Sequence, residues 1–243
     1  MAIAFCDGCG ASLTEQARYC GNCGKQTRLG RKTHRAKTRA THTHTKAAAA
    51  AITLLFVGPL LASTSVALTA EERYSAYWAL CLINVAIITT AARMLGAGSL
   101  RASLGRQPTI GHLALAVGVA AASYGISYAY VELLSAAAAE PTEPEELVWR
   151  AVLAFALLPA LVEEWLCRGV LWTALRPIAG KSITIFGTAV LFAFLHGLNG
   201  GFILELPHRF VGGLLLGWLR ARTGSLAPCV LAHFLHNGLA ILA

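Results

Sequence analysis

The sequence predicts an all-α fold, a polytopic transmembrane bundle of about seven helices, carried behind a small cysteine-rich N-terminal module. Three observations predict it. The 243-residue chain is 56% hydrophobic and 13% charged, too apolar for a soluble domain of that length. Several uncharged runs approach the roughly 20 residues that cross a bilayer as a helix. Those runs are continuous and rich in Ala and Leu, whereas the strands of a membrane barrel alternate in polarity.

The N-terminal module comes first. Cys6, Cys9, Cys20 and Cys23 form C-x2-C-x10-C-x2-C, and Gly10 and Gly24 follow the two pairs. Glycine permits the tight turn that points backbone N–H groups at the sulfurs, and four thiolates suit tetrahedral zinc. A segment of about 25 residues cannot build a core alone. A structural zinc is therefore expected to hold residues 1–24, with two redox pairs or two disulfides as the alternative. Four protein ligands leave no open position for catalysis, so the module is expected to be structural or to dock a cytoplasmic partner. The pattern resembles short bacterial zinc ribbons. Cys81, Cys167 and Cys229 lie in apolar runs and read as small buried side chains.

Residues 25–46 lack apolar periodicity and read as a flexible basic linker. Residues 1–46 hold nine Lys/Arg against Asp7 and Glu15, which is 9 − 2 = +7 of the net +8. Directly before an apolar run, this charge reads as an anchor to anionic lipid, and no nucleic-acid partner is expected. His34, His42 and His44 read as solvated linker residues. The N-terminus lacks the charged start and apolar core of a cleavable signal, so the first span is expected to serve as the insertion signal.

Seven membrane segments follow: Ala47–Ala70, Tyr74–Leu95, Ile110–Ser135, Leu147–Arg176, Ser182–Leu198, Phe202–Leu219 and Leu226–Ala243. Residues 47–146 hold the first three and residues 147–243 the rest. Alternate connections are basic: the linker, Arg101 with Arg106, Arg176 with Lys181, and Arg220 with Arg222. The 136–146 loop carries Glu140, Glu143, Glu145 and Glu146 and no base, and the 71–73 loop holds Glu71, Glu72 and Arg73. The positive-inside rule then predicts a multi-pass cell-membrane protein with a cytoplasmic N-terminus. That compartment is reducing, in keeping with thiolates rather than disulfides.

Charge inside a bilayer is costly unless paired or hydrated, so intramembrane ionisable residues mark function. The fourth segment reads LPALVEEWLCRGVLW. Glu164 and Arg168 are i,i+4 and share a face, so they can pair. Glu163 is turned about 100° away, without a sequence-local partner. The fifth segment places Phe192 and His196 one turn apart. The last places His233 and Asn237 on one face, with His236 turned off it. At about 1.5 Å per residue from the basic ends, Glu163, His196, His233 and Asn237 reach a common depth. Singly, a Glu–Arg pair can merely join helices, and an intramembrane His or Asn can merely hydrogen-bond a neighbour. Together on three helices they point to a site.

EEWLCR, FAFLH and HFLHN carry the motifs EExxxR, FxxxH and HxxxN. In this order they resemble the CPBP family of CAAX proteases and bacteriocin-processing enzymes, over residues 147–243. The stretch GGLLLGWLRARTGSLAPCVLAHFLHN resembles the family's approach to its last motif. The resemblance implies a glutamate-dependent intramembrane endopeptidase. Glu163 would be the general base, and His196 would hold and activate water. Glu164 and Arg168 would brace the site, and His233 and Asn237 would bind the carbonyl oxygen or oxyanion. Amide hydrolysis needs such a base and such donors. An active-site divalent metal is not favoured; if present, Glu163, His196 and His233 are the expected ligands. The substrate would be a membrane-associated peptide or protein.

Other intramembrane peptidase chemistries fail on the sequence. Asp7 is the only aspartate, and H-E-x-x-H and G-x-S-G are absent. Two other functions compete: a non-catalytic relative that binds a membrane peptide without cutting it, and a transporter using the buried charges. Only the peptidase creates a new peptide terminus, and only the transporter passes ions through a liposome. Among smaller features, Gly213 and Gly217 form GxxxG beside Gly212 and read as helix packing. Glu205 and His208 read as interfacial, with a place along substrate access as the alternative. Tyr74, Tyr77 and Trp78 suit an aromatic belt. Gly105 to Pro108 reads as an ordinary loop.

Overall fold

The computed structural model describes residues 4–6, 9, 11–14, 17, 19–20, 22–25, 27, 46–59, 61–62, 73–96, 98–135, 152–198, 204 and 206–243. Most of the linker, with His34, His42 and His44, lies outside the described residues. So do Gly10, Glu71, Glu72, Glu205, the 136–146 loop and the side chains of Tyr74 and Tyr77. The chain divides into two compact units, 1–47 and 48–243.

In the first unit, β1 (Ala4–Phe5) pairs antiparallel with β2 (Ser12–Leu13), matching Ala4 with Leu13 and Phe5 with Ser12. Two residues per strand bury almost nothing, so this hairpin needs a further source of stability.

The second unit is a helical bundle, as the composition predicts. Helix α1 is Lys46–Pro59 and α2 is Arg73–Leu95. Helix α2 turns Ile88, Ala91 and Ala92 inward, while Leu82, Ile83 and Met94 face outward, a sidedness set by the 3.6-residue period. Gly96, with φ 107, ends α2. A short helix, α3 (Ser99–Leu104), occupies part of the connection read as a loop. Helix α4 is Ile110–Ser135.

Three helical stretches, Trp78–Leu95, Ile110–Leu134 and Val152–His196, are long and apolar enough to cross a membrane. Lys46–Pro59 and Ala227–Leu242 are shorter apolar helices. The 45-residue stretch would extend about 68 Å if straight, over twice the ~30 Å hydrocarbon core. Gly180 resolves the excess. Its φ of 76° and ψ of −177° interrupt the helix Trp172–Leu198. The stretch is thus two helices, α5 (152–179) and α6 (181–198), and Leu175 of the first meets Gly187 of the second across the turn. These match the expected fourth and fifth segments.

Helix α5 is not uniform. Val152–Leu157 and Trp165–Leu171 are π-helical, with the α-helical turns Leu158–Glu164 between them. Wide i→i+5 turns are rare and gather at functional sites. The two glutamates end the central α-helical part, and Arg168 lies in the second wide part.

Helix α7 spans Leu206–Thr223 and α8 spans Ala227–Leu242. The expected sixth segment, Phe202–Leu219, is therefore shifted by about one turn. Pro207 sits in the first turn, where a missing N–H costs nothing. Arg220 does not end the helix, because it is buried and its guanidinium is hydrogen-bonded inside the bundle. Gly224, φ 66, is the actual stop.

Helices of a bilayer gain little from the hydrophobic effect between them, so close packing carries their association. Helices α6 and α7 meet through glycine. A Cβ on Gly213 would stand 2.9 Å from Ala189 Cα, and one on Gly217 would stand 3.1 Å from Ile185 Cγ2. Helix α4 lies against α7 and α8, and α5 contacts α2, α3 and α8. Residues Leu166, Val170, Leu191, Leu219 and Cys229 meet in the buried centre.

Candidate functional site

The N-terminal cysteines are gathered. The Cys6 and Cys23 sulfurs are 3.7 Å apart and the Cys9 and Cys20 sulfurs 3.6 Å. All four sulfurs lie within 4.8 Å of one another. A disulfide holds its sulfurs about 2.05 Å apart, so neither pair is a disulfide. A tetrahedron with metal–sulfur bonds of about 2.3 Å has edges of about 3.8 Å, close to the spacing found. The CxxC turns are built by backbone bonds from Cys6 N–H to the Ala11 carbonyl and from Gly24 N–H to the Cys20 carbonyl, both 2.9 Å. Gly24 adopts φ 69, as the tight turn requires. Hydrogen bonding from the Ala11 backbone, then from Asn22, pulls the Cys9 thiol down to about 6. The set can hold a metal ion.

Within the bundle, the EExxxR helix divides its two acids between two environments. Glu164 and Arg168 point inward and are fully buried. Arg168 Nη1 donates to Glu164 Oε1 at 2.8 Å, and its Nη2 donates to the Gly213 carbonyl at 2.7 Å. This second bond ties α5 to the backbone of α7. His233 Nδ1 lies 3.1 Å from the same Glu164 Oε1. Facing a carboxylate already paired with Arg168, Nδ1 is the donor, so neutral His233 presents a bare Nε2.

Glu163 takes the other direction, as the 100° step per residue requires. Its Oε2 lies 3.6 Å from His196 Nε2, and the two side chains are 22% and 18% exposed, against 0% for Glu164 and Arg168 and 2% for His233. The outer pair is thus the less buried one, although Glu163 Oε2 itself is sealed and lacks a hydrogen-bond partner. His196 Nδ1 donates to the Phe192 carbonyl at 2.8 Å, so neutral His196 turns an acceptor Nε2 toward Glu163. Two acceptors 3.6 Å apart are not hydrogen-bonded to each other. They are spaced to share a donor such as water.

Phe192 stands between the two groups. Its ring is 4.6 Å from the His196 ring and 5.3 Å from the His233 ring, and the Arg168 guanidinium lies 4.7 Å over it. The last contact is a cation–π pair. This gives the Phe of FxxxH a structural reason. Asn237 stands apart: its Nδ2 donates to the Phe155 carbonyl at 3.3 Å, in the first π-helical part of α5. Glu163 with His196, and Glu164 with Arg168 and His233, are therefore two contact sets joined by Phe192. Among the described residues, only the four cysteines gather three or more metal-type ligand atoms within 4.8 Å.

Beside His233 lies a small pocket between α4, α7 and α8. Apolar walls from Val119, Ala120 and Leu216 carry His208, Arg209 and His236 as polar points. His208 is buried and its ring lies 5.3 Å from that of Tyr130. His236, expected off the His233–Asn237 face, lines the cavity as well. Arg209 had no motif to mark it; the only available signal was a charge within an apolar segment.

Against known proteins, residues 144–239 match the family model described as type II CAAX prenyl endopeptidase Rce1-like. No curated protein and no solved structure matches the chain.

Proposed function

We propose that residues 144–239, which match the type II CAAX prenyl endopeptidase Rce1-like family model, hydrolyse peptide bonds of a membrane-associated peptide or protein with a glutamate-activated water. The observation that carries this reading is the Glu163–His196 pair, set 3.6 Å apart beside a sealed ionic brace, with Glu163 Oε2 left without a hydrogen-bond partner.

A water bound there donates one hydrogen to Glu163 and the other to His196 Nε2, which leaves a lone pair for the substrate carbonyl. Glu163 takes the proton as the C–O bond forms. The carbonyl π electrons move onto oxygen, and the tetrahedral intermediate collapses as Glu163 passes that proton to the leaving amine. The developing oxyanion needs donors. His233 supplies Nε2–H only as imidazolium, a form for which Glu164 is the counter-ion at Nδ1. Asn237 retains a second amide hydrogen beyond the one given to Phe155. Glu164 and Arg168 touch no reacting atom in this scheme; they fix His233.

The Nδ1–H groups of both histidines are engaged by acceptors, which is also how metal-binding imidazoles are held. The donor types at Glu163, His196 and His233 thus suit a divalent ion, which would polarise the carbonyl or water. The water-only scheme is preferred because two acceptors 3.6 Å apart suit one shared water. At the N-terminus, zinc is the ion assigned to Cys6, Cys9, Cys20 and Cys23. The basic linker supports a cytoplasmic placement of that module, where a partner protein is accessible to it.

The test follows the products by mass spectrometry. Full-length protein in lipid is incubated with membrane peptides, prenylated and unmodified. Glu163→Ala and His196→Ala are expected to lower cleavage by about 10²–10⁴-fold. Equal product from Glu163→Ala and wild type would remove the mechanism. Intact binding of a peptide that wild type never cuts would favour the non-catalytic alternative.

A further inference from the structure

Arg220 was read from the sequence as a charge in a turn, yet it is 4% exposed. Its Nε donates to the Arg168 carbonyl at 2.9 Å, and its Nη2 donates to the Ser103 carbonyl at 3.0 Å. It therefore joins the second π-helical part of α5 to α3, a segment that lies before the family match begins.

Segment 99–106 is fastened to the same place by independent bonds. Trp165 Nε1 donates to Ser103 Oγ at 3.0 Å. Arg106 N–H donates to the Gly224 carbonyl and Leu226 N–H to the Leu104 carbonyl, both 2.9 Å, forming an antiparallel bridge at Gly105 and Ser225. Gly105 and Gly224 both have positive φ, 73 and 66. A Cβ on Gly105 would collide with the Gly224 carbonyl and the Arg220 guanidinium. Ser103, Thr223 and Ser225 are sealed in this seam.

A π-helical stretch is a poor conformation on its own, so it persists where outside bonds hold it. Here the bonds form one chain: the Ser103 carbonyl, Arg220, the Arg168 carbonyl, the Arg168 guanidinium, Glu164 and His233. We propose that Arg220, seated by Ser103 and Gly105, is a positioning residue that sets Arg168 and, through Glu164, the His233 ring, making residues 99–106 an integral part of the site. The inference rests on the peptidase reading only for its effect on turnover.

The experiment uses the full chain in lipid bicelles and compares wild type with Arg220→Gln, Arg220→Lys and the exposed control Arg222→Gln. Two readouts need no substrate: amide exchange across Trp165–Leu171, and the ¹⁵N signal of the His233 Nδ1 bonded to Glu164. Losing two charge-assisted bonds is expected to speed exchange by about 10–100-fold in Arg220→Gln and to shift the His233 signal. On any peptide that wild type cuts, kcat is expected to fall by about 10–100-fold with KM held within about threefold, because a transition-state donor has moved. Arg220→Lys keeps the charge without the planar fork and is expected to fall between. Arg222→Gln is expected to match wild type. Unchanged exchange and an unchanged His233 signal in Arg220→Gln would overturn the proposal. Should that variant not fold, wild-type behaviour of Arg220→Lys in both readouts would overturn it, and an intermediate response would support it. Absence of cleavage by wild type would defeat the peptidase reading, while exchange and the nitrogen signal still decide the role of Arg220.

Discussion

Arg168→Met is the sharpest test of the sealed brace. Arg168 is fully buried, pairs with Glu164 at 2.8 Å and satisfies the Gly213 carbonyl at 2.7 Å. Methionine fills much of the volume but donates nothing. Removing one partner of a buried pair costs about 3–5 kcal/mol, and a carbonyl left without its donor adds about 1 kcal/mol or more. The single variant is thus expected to lose about 4–6 kcal/mol. The double variant Glu164→Gln with Arg168→Met removes both charges and keeps an acceptor for His233. Since buried pairs replaced together are often nearly neutral, it should recover at least about 2 kcal/mol. Reversible unfolding in mixed lipid–detergent micelles, with the full chain, measures both. A single variant within about 1 kcal/mol of wild type, or a double variant no more stable than the single, would refute the reasoning.

Further outcomes follow from the same contacts. Gly213→Ala places a methyl 2.9 Å from Ala189 Cα, and the resulting overpacking should cost about 1–3 kcal/mol in the same assay. Because the displaced backbone is the Arg168 acceptor, cleavage should fall with it. Elemental analysis of the wild-type full chain is expected to find about one zinc ion per molecule, and Cys9→Ser with Cys20→Ser to abolish it. In that cysteine variant, cleavage should survive a chelator. Loss of cleavage there would instead make ligands of Glu163, His196 and His233.

Much of this was readable before the fold was known, for a physical reason. An acid or base inside an apolar run is anomalous wherever it occurs, so Glu163, Glu164, Arg168, His196 and His233 announce themselves. Helical phase then separates Glu163 from Glu164, and the structure follows that separation. What the sequence hides is which backbone groups become available. The Gly213 carbonyl receives Arg168 across two helices, a pairing that no sequence pattern marks. The Phe155 carbonyl receives Asn237 within a π-helical part that no residue pattern marks. Arg220 looks identical to Arg222 in sequence, and only the bridge with segment 99–106 decides that one is buried. His208 and His236 depend likewise on the approach of α4, which no motif on α7 or α8 encodes.

The aromatic ring of Phe192 has a further consequence. It touches both histidine rings and so stands between the Glu163–His196 pair and the buried Glu164–Arg168–His233 set. On the proposed reading, Glu163 gains and loses a proton in every turnover, while Glu164 and Arg168 keep their ion pair throughout. Chemistry at Glu163 can then cycle without unfastening the helices that Arg168 ties together.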